Sequence, residues 1–447
     1  MEKKAFVLFF LFSSLAAGDP RLPSQAKAPP RPVEESLLGK VDKVMDDVVR
    51  LSGMPFLHPV ARTVCTQREF KAFALEELRK QYPSWKWKAL EAAYRALGLL
   101  KSGTDLVAAQ IELLSAQVVG YYDPSSRTFR LVRGRSLGAM TLIVMAHELT
   151  HALDDQYYDL KSHQDASKGS SDFSFALGAV MEGSAVTLQM RYMVEGMGEG
   201  WLTGADISAQ EKVSGAQNKA LENAPPILTF DMLGRYMMGM YFLSKGNLKN
   251  AMMGCRAAVE KAMFDPPLSS EQVLHPAKYW DPRKRDDPVV IGFPRARLVM
   301  GKGWRCLVGD TLGEIQCALL ARPVDFRFKM RKNLMASPSF WTNPAAAGWG
   351  GDRFALYEDR KGRRALLWVA AWDTEKDAAQ FLGAFRKYRG NLPAAVLAKG
   401  KVTAFAFGLE KDRAGLVLEA LLPRLTFRKA GPWNPGYKLL GDRGASR

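Results

Sequence analysis

Histidine is scarce in this sequence, with five in 447 residues, and cysteine is scarcer, with four. Cys65, Cys255, Cys306 and Cys317 stand at no zinc-ribbon spacing, which argues against a metal held by cysteine. Four cysteines allow three pairings. Cys306 and Cys317 flank the turn-rich VGDTLGE and could close a small loop, and four buried free thiols are the equal alternative. No cysteine precedes Cys65, which excludes a lipid anchor at a bacterial signal junction. There is no internal repeat, no phosphate-loop signature and no RNA-binding aromatic signature. Nucleic acid is therefore disfavoured as a partner despite a net charge of +17. The N-terminal apolar run, Ala5 to about Ala17, is too short to span a bilayer comfortably. It follows Lys3 and Lys4 and ends in small residues, so residues 1–18 read as a secretory signal, removed near Gly18. A retained anchor is the alternative. With the signal gone, no transmembrane helix is expected and the protein is exported, to a periplasm, a cell envelope or the medium.

What the chain does contain is uneven. Residues 283–447 carry 31 Lys+Arg against 15 Asp+Glu, while the first 282 carry 32 against 31. Such asymmetry marks a boundary near residue 285 and suggests that residues 286–447 meet an anionic envelope surface, or else present a solvated basic face. Residues 19–36 are rich in proline and read as a tether. Helical spacing returns at SLLGKVDKVMDDVVRLSG, with Leu38, Val41, Met45 and Val48 on one face, and again from Arg68 to Leu100, broken at Pro83. Residues 118–132 change to a β-rich pattern around Asp123–Ser126 and predict a hairpin. Beyond 285, RFALYED and ALLWVAAW read as paired strands and DTEKDAAQFLGAFRKY as a helix capped at Asp373 or Thr374. VTAFAFGL adds a strand and AGLVLEALLPRL a helix.

Two of the five histidines stand together in HELTH, residues 147–151. Imidazoles at i and i+4 of a helix project side by side, so both can reach one Zn²⁺ at about 2.0–2.1 Å. Glu148, beside them, is placed to take a proton from water without ligating the metal. The spacing supplies two ligands and a base. A third histidine six residues after His151 is missing, because that position is Tyr157. Downstream, residues 173–193 form a helical, apolar run whose only carboxylate is Glu182. A lone buried carboxylate needs a cation, and zinc or Arg191 would serve. Gly183 and Ala185 beside it, with Ala179 one turn earlier, suit close helix packing. His163 and Asp172, in a polar stretch, are expected to be exposed. Asp154, one turn after His151, is a candidate to orient a ligand imidazole.

HELTHALDDQ followed by ALGAVMEGSA resembles the gluzincin type of zinc metallopeptidase. GYYDP, PPLSSEQVLHP, DTLGE and AAAGWGGDR add a resemblance to a group of exported bacterial proteins with peptidase-like sites. The resemblance implies an α+β fold. A mainly helical zincin-like domain with a short edge-strand sheet (37–285) would be followed by a small basic α+β domain (286–447). It implies one Zn²⁺ per chain held by His147, His151 and Glu182, and Glu148 activating water for attack on a peptide or protein substrate. His275 in SSEQVLHP is the match for the downstream residue that stabilises the oxyanion, with Tyr236 and Tyr279 as runners-up. An edge strand within 118–132, carrying Tyr121 and Tyr122, would align an extended substrate by strand addition, and Tyr236, Trp349 and Arg353 are further substrate candidates. Equally, the glycines of GWGGDR form a turn before a strand. A competing expectation from another class is an envelope binding or scaffold protein that keeps zinc for stability without turnover.

Overall fold

In a computed structural model the described residues are 32–134, 138–213, 215–329, 337–390 and 392–431. The expected signal and the start of the tether lie outside them. The end of the tether differs from expectation, because Pro32–Leu38 is helical. Proline opens that helix, where a missing N–H goes unused. The helix Val41–Ser52 follows, burying Val41, Val44, Val48 and Leu51, whereas Leu38 and Met45 are only half-buried. Gly39 and Lys40 interrupt the pattern and shift the buried face.

The expected break at Pro83 separates the helices Gln67–Gln81 and Ser84–Ala96. The expected hairpin is β2 (Gly120–Asp123) and β3 (Thr128–Val132), and β1 (Ala61–Cys65) lies parallel to β3 on its other side. The order β1-β3-β2 leaves β2 at an edge. Three long helices carry the centre of the molecule: the HELTH helix (Met140–Tyr158), the Glu182 helix (Ser171–Gly198) and the Gly239 helix (Pro226–Leu243). Among the described residues no helix is long and apolar enough to cross a membrane.

The basic part is an antiparallel sheet of β5 (Arg305–Asp310), β6 (Trp349–Glu358), β7 (Arg364–Trp372), β8 (Ala395–Lys399) and β9 (Val402–Phe407), in the order β5-β6-β7-β9-β8. Helix Glu375–Arg389, with the Thr374 hydroxyl accepting from Asp377 N–H, packs Phe381 and Phe385 against Trp368 and Phe405 on one face. Helix Lys411–Leu421 covers the other face. A two-stranded ribbon pairs β4 (Val289–Gly292) with β10 (Thr426–Lys429). The molecule is thus a mostly helical region with a few short strands followed by a smaller, strand-richer one. One apolar core joins them, running from the Glu182 and Gly239 helices through helix Gly313–Leu320 to the Trp368 face of the sheet.

Near residue 285 a lysine fastens this junction. Lys278 Nζ donates to Glu271 Oε1 at 2.6 Å, Asp373 Oδ2 at 2.8 Å and Asp286 Oδ2 at 3.0 Å. Glu271 is fully buried, so an ammonium is what makes its charge tolerable. Lys278→Met should lower unfolding free energy by about 3 kcal/mol, because it strands a buried carboxylate. A urea midpoint within error of the wild type would refute this account.

None of the four cysteines is in a disulfide. The Cys306–Cys317 bridge is not formed: Cys306 sits in β5 with its thiol toward the Val308 carbonyl, while Cys317 is buried in the next helix.

Candidate metal centre

The HELTH helix is buried all round from Ile143 to Asp154, its polar face included. His147 and Glu148 are 0% exposed, His151 2% and Glu182 4%. So many polar groups are tolerable inside a protein only when they satisfy one another. Here they converge: His147 Nε2 lies 3.2 Å from Glu182 Oε2 and 3.1 Å from His151 Nε2, and His151 Nε2 lies 3.4 Å from the same oxygen. Three atoms that each offer a lone pair do not crowd together unaided. Around a tetrahedral Zn²⁺ with bonds of about 2.0–2.1 Å, neighbouring ligand atoms stand about 3.3 Å apart, which is the spacing found. The residues fit the ion.

This is the HExxH-plus-downstream-glutamate zinc geometry of gluzincins. Residues 306–415 match a family described as a domain of unknown function (DUF8575), which covers β5 to the start of the last helix. No curated protein and no solved structure matches the chain.

Electrostatics follow from burial. Desolvation, with His151 facing it, holds the His147 imidazole below its ordinary pKa, which favours the neutral ring with a lone pair on one nitrogen. Burial would raise Glu182, but His151 and His147 outweigh it and hold the carboxyl well below its usual range. Burial, then the Glu182 charge, pushes Glu148 well up, against one N–H from Tyr122. Tyr122 N–H donates to Glu148 Oε2 at 2.9 Å, and the Tyr122 hydroxyl donates to Asp155 Oδ2 at 3.0 Å. That clamp exists because β2 is an edge. Val132 N–H bonds Val119 C=O, so Tyr122 turns its backbone away from β3 toward the HELTH helix. Glu148 Oε1 has no partner and lies 4.0 Å from His147 Nε2, on the metal side.

The other candidates are divided. Tyr236 belongs to the centre: its ring stacks on His147 with centroids 5.6 Å apart and planes 9° from parallel. Asp154 is buried one turn from His151, but its Oδ1 accepts from Arg256 Nη1 at 3.4 Å. The Ser184 side chain also bears on the Asp154 carboxyl, and His151 Nδ1 is buried without a hydrogen-bond partner. Tyr121 packs between Phe70 and Phe73. His275 pairs with Glu314, Nε2 to Oε1 at 2.9 Å, and the Thr342 hydroxyl donates to the same oxygen. Tyr279 donates to the Asp265 carbonyl and packs on Phe242. Trp349 is fully buried and gives its indole N–H to Asp352, and Arg353 lies in β6 near Gly309. GWGGDR is no cleft loop. It enters β6 through a bulge between Trp349 and Gly351, and a β-carbon on Gly351 would overlap the Val289 carbonyl of β4.

The outlying motifs instead brace one end of the Glu182 helix. Asp310 of DTLGE accepts from the Ser171 N–H at 2.7 Å and from the Ser171 hydroxyl at 2.5 Å, capping that helix. Asp172, expected to be exposed, is buried in the first turn and accepts from Ser270 N–H at 2.9 Å. Asp352 gathers four donors, the N–H groups of Leu312 and Gly313 and the indoles of Trp349 and Trp368. His163 is half-buried, its Nε2 against the Met263 carbonyl. Arg191, the competing partner for Glu182, reaches the Leu51 carbonyl instead. A second group of acidic oxygens, from Glu271, Asp286 and Asp373, already holds a cation in Lys278. The reading of the sequence missed Gln189, whose Oε1 lies 3.1 Å from His147 Nδ1. The available signal was its position seven residues after Glu182, two helical turns along the same face.

Proposed function

We propose that the protein is an exported zinc-dependent peptidase, with one Zn²⁺ held by His147, His151 and Glu182 and with Glu148 as general base. The observation that carries this reading is the state of Glu148. One oxygen is fixed by the Tyr122 N–H and the other, unpartnered, faces the ligand nitrogens. A base anchored at one oxygen and free at the other can take a proton at Oε1 and return it without losing its place. When bound, zinc supplies a Lewis acid that polarises a carbonyl and makes water a nucleophile near neutral pH. β2 stands at the edge of its sheet, the kind of element to which an extended peptide is added as a strand, and of its outward groups the Tyr122 N–H is already given to Glu148. Tyr236, flat against His147, is the aromatic group closest in role to a substrate contact. Export rests on residues 1–18 and an anionic envelope surface on the charge of 286–447; both are proposals from sequence.

Full burial of Glu148 favours a second reading, a zinc-stabilised scaffold that must open before it could turn over anything. Metal content is measured first, on purified wild type, His147→Ala and Glu182→Ala. One zinc per wild-type chain, lost from both variants, is expected. A wild type that takes up no zinc on reconstitution would end the metallopeptidase reading.

A further inference from the structure

The His147 ring is held more firmly than a single ligand bond requires. Its Nε2 faces Glu182 Oε2 at 3.2 Å and its Nδ1 faces Gln189 Oε1 at 3.1 Å, so both nitrogens meet the same helix at positions two turns apart. One flat face is covered by Tyr236. His151 has no such support: its Nδ1 is buried and lacks any hydrogen-bond partner. The two imidazoles of HELTH are therefore not equivalent, although the motif writes them alike.

A neutral imidazole carries one proton, and which nitrogen bears it is decided by what the other nitrogen meets. Glu182 Oε2 is an acceptor, and an ion held beside it needs the Nε2 lone pair. The proton must then sit on Nδ1, and Nδ1 needs a buried acceptor. Gln189 Oε1 is that acceptor, which also fixes the orientation of its amide.

Resting on the zinc reading above, we propose that Gln189 is a positioning residue of the metal centre: its Oε1 locks the Nδ1–H tautomer of His147 and aims Nε2 at the ion. Because the acceptor is an amide, it orients the ring without adding charge. A carboxylate at the same place would make His147 a stronger donor toward the metal. The centre thus carries a net charge more positive by one than a carboxylate at 189 would give. His151, with no acceptor at Nδ1, is held by burial and by its contact with the His147 ring instead.

The test is zinc affinity and zinc release, read by chelator competition on the full chain with Zn²⁺ alone as the probe. Gln189→Leu, which leaves Nδ1–H without an acceptor, should weaken zinc binding by about 10- to 100-fold. Gln189→Glu should bind at least as tightly as wild type and release zinc more slowly. A residue that merely filled space would show no such order, since Leu and Glu both depart from it. Should Gln189→Leu fail to fold, Gln189→Glu still decides: weaker binding or faster release than wild type overturns the assignment. Wild type and Gln189→Leu binding one zinc with equal affinity overturns it while leaving the zinc reading intact. Absence of zinc from the wild type overturns both.

Discussion

Glu148→Gln is expected to keep its zinc and to lose about 10²- to 10⁴-fold in peptide hydrolysis, the usual contribution of a positioned general base. The substitution is nearly isosteric. The amide oxygen can accept from the Tyr122 N–H as Glu148 Oε2 does, so the clamp between β2 and the HELTH helix survives. What changes is the atom at the Oε1 position, which becomes an NH₂ that cannot take a proton. None of the three metal ligands is touched, because Glu148 Oε1 lies 4.0 Å from the nearest ligand nitrogen and is not one of the converging atoms. Zinc content and turnover should therefore separate. Equal hydrolysis by the two proteins would remove Glu148 from its role, and loss of zinc would make it structural. If the wild type itself shows zinc but no hydrolysis of any peptide pool, the scaffold reading gains.

The metal centre was legible in the sequence because its chemistry is local. HELTH fixes two ligands and a base by helical period alone, and Glu182 stood out as the one carboxylate in the apolar run 173–193. The β2–β3 hairpin and the β6–β7 pair were legible too, from β-rich runs flanking turn residues. Other features were not, for a common reason: they depend on pairs distant in the chain. His275 was read as an oxyanion donor from its motif alone, and its pairing with Glu314, 39 residues away, is visible only in the fold. Trp349 and Arg353 looked like cleft residues because glycines flank them. In the fold those glycines let β6 pass close under β4, and Asp352 between them is an acceptor for four donors. Asp172 was misread as exposed because a polar stretch precedes it; the helix it opens is driven inward by the apolar residues that follow. Gln189 went unread because a neutral amide stands out in no pattern until its partner is seen.

Gly239→Ala is expected to destabilise the protein by about 3 kcal/mol and to weaken zinc binding with it. Helix propensity alone predicts the reverse sign, since alanine is favoured over glycine by about 1 kcal/mol inside a helix. Packing decides against propensity because of what the new methyl would meet. A β-carbon on Gly239 would overlap the Ala179 carbonyl, and one on Gly183 would overlap the backbone of Gly239. These are backbone atoms, which cannot swing aside like a side chain, so the Glu182 and Gly239 helices would have to part. Separation acts directly on the metal centre. Glu182 adjoins Gly183 on one helix, and Tyr236, whose ring lies on His147, sits one turn before Gly239 on the other. Gly383, in the middle of helix Glu375–Arg389, is the control, because a β-carbon there would meet nothing within 4 Å. Gly383→Ala should stabilise by about 0.5–1 kcal/mol through the unfolded chain and helix propensity. Urea midpoints of the two variants should therefore move in opposite directions, and zinc affinity should fall only in Gly239→Ala. Midpoints that moved together would mean that the helix crossing is looser than its two glycines imply, and that the position of Glu182 is set by the Asp310 cap instead.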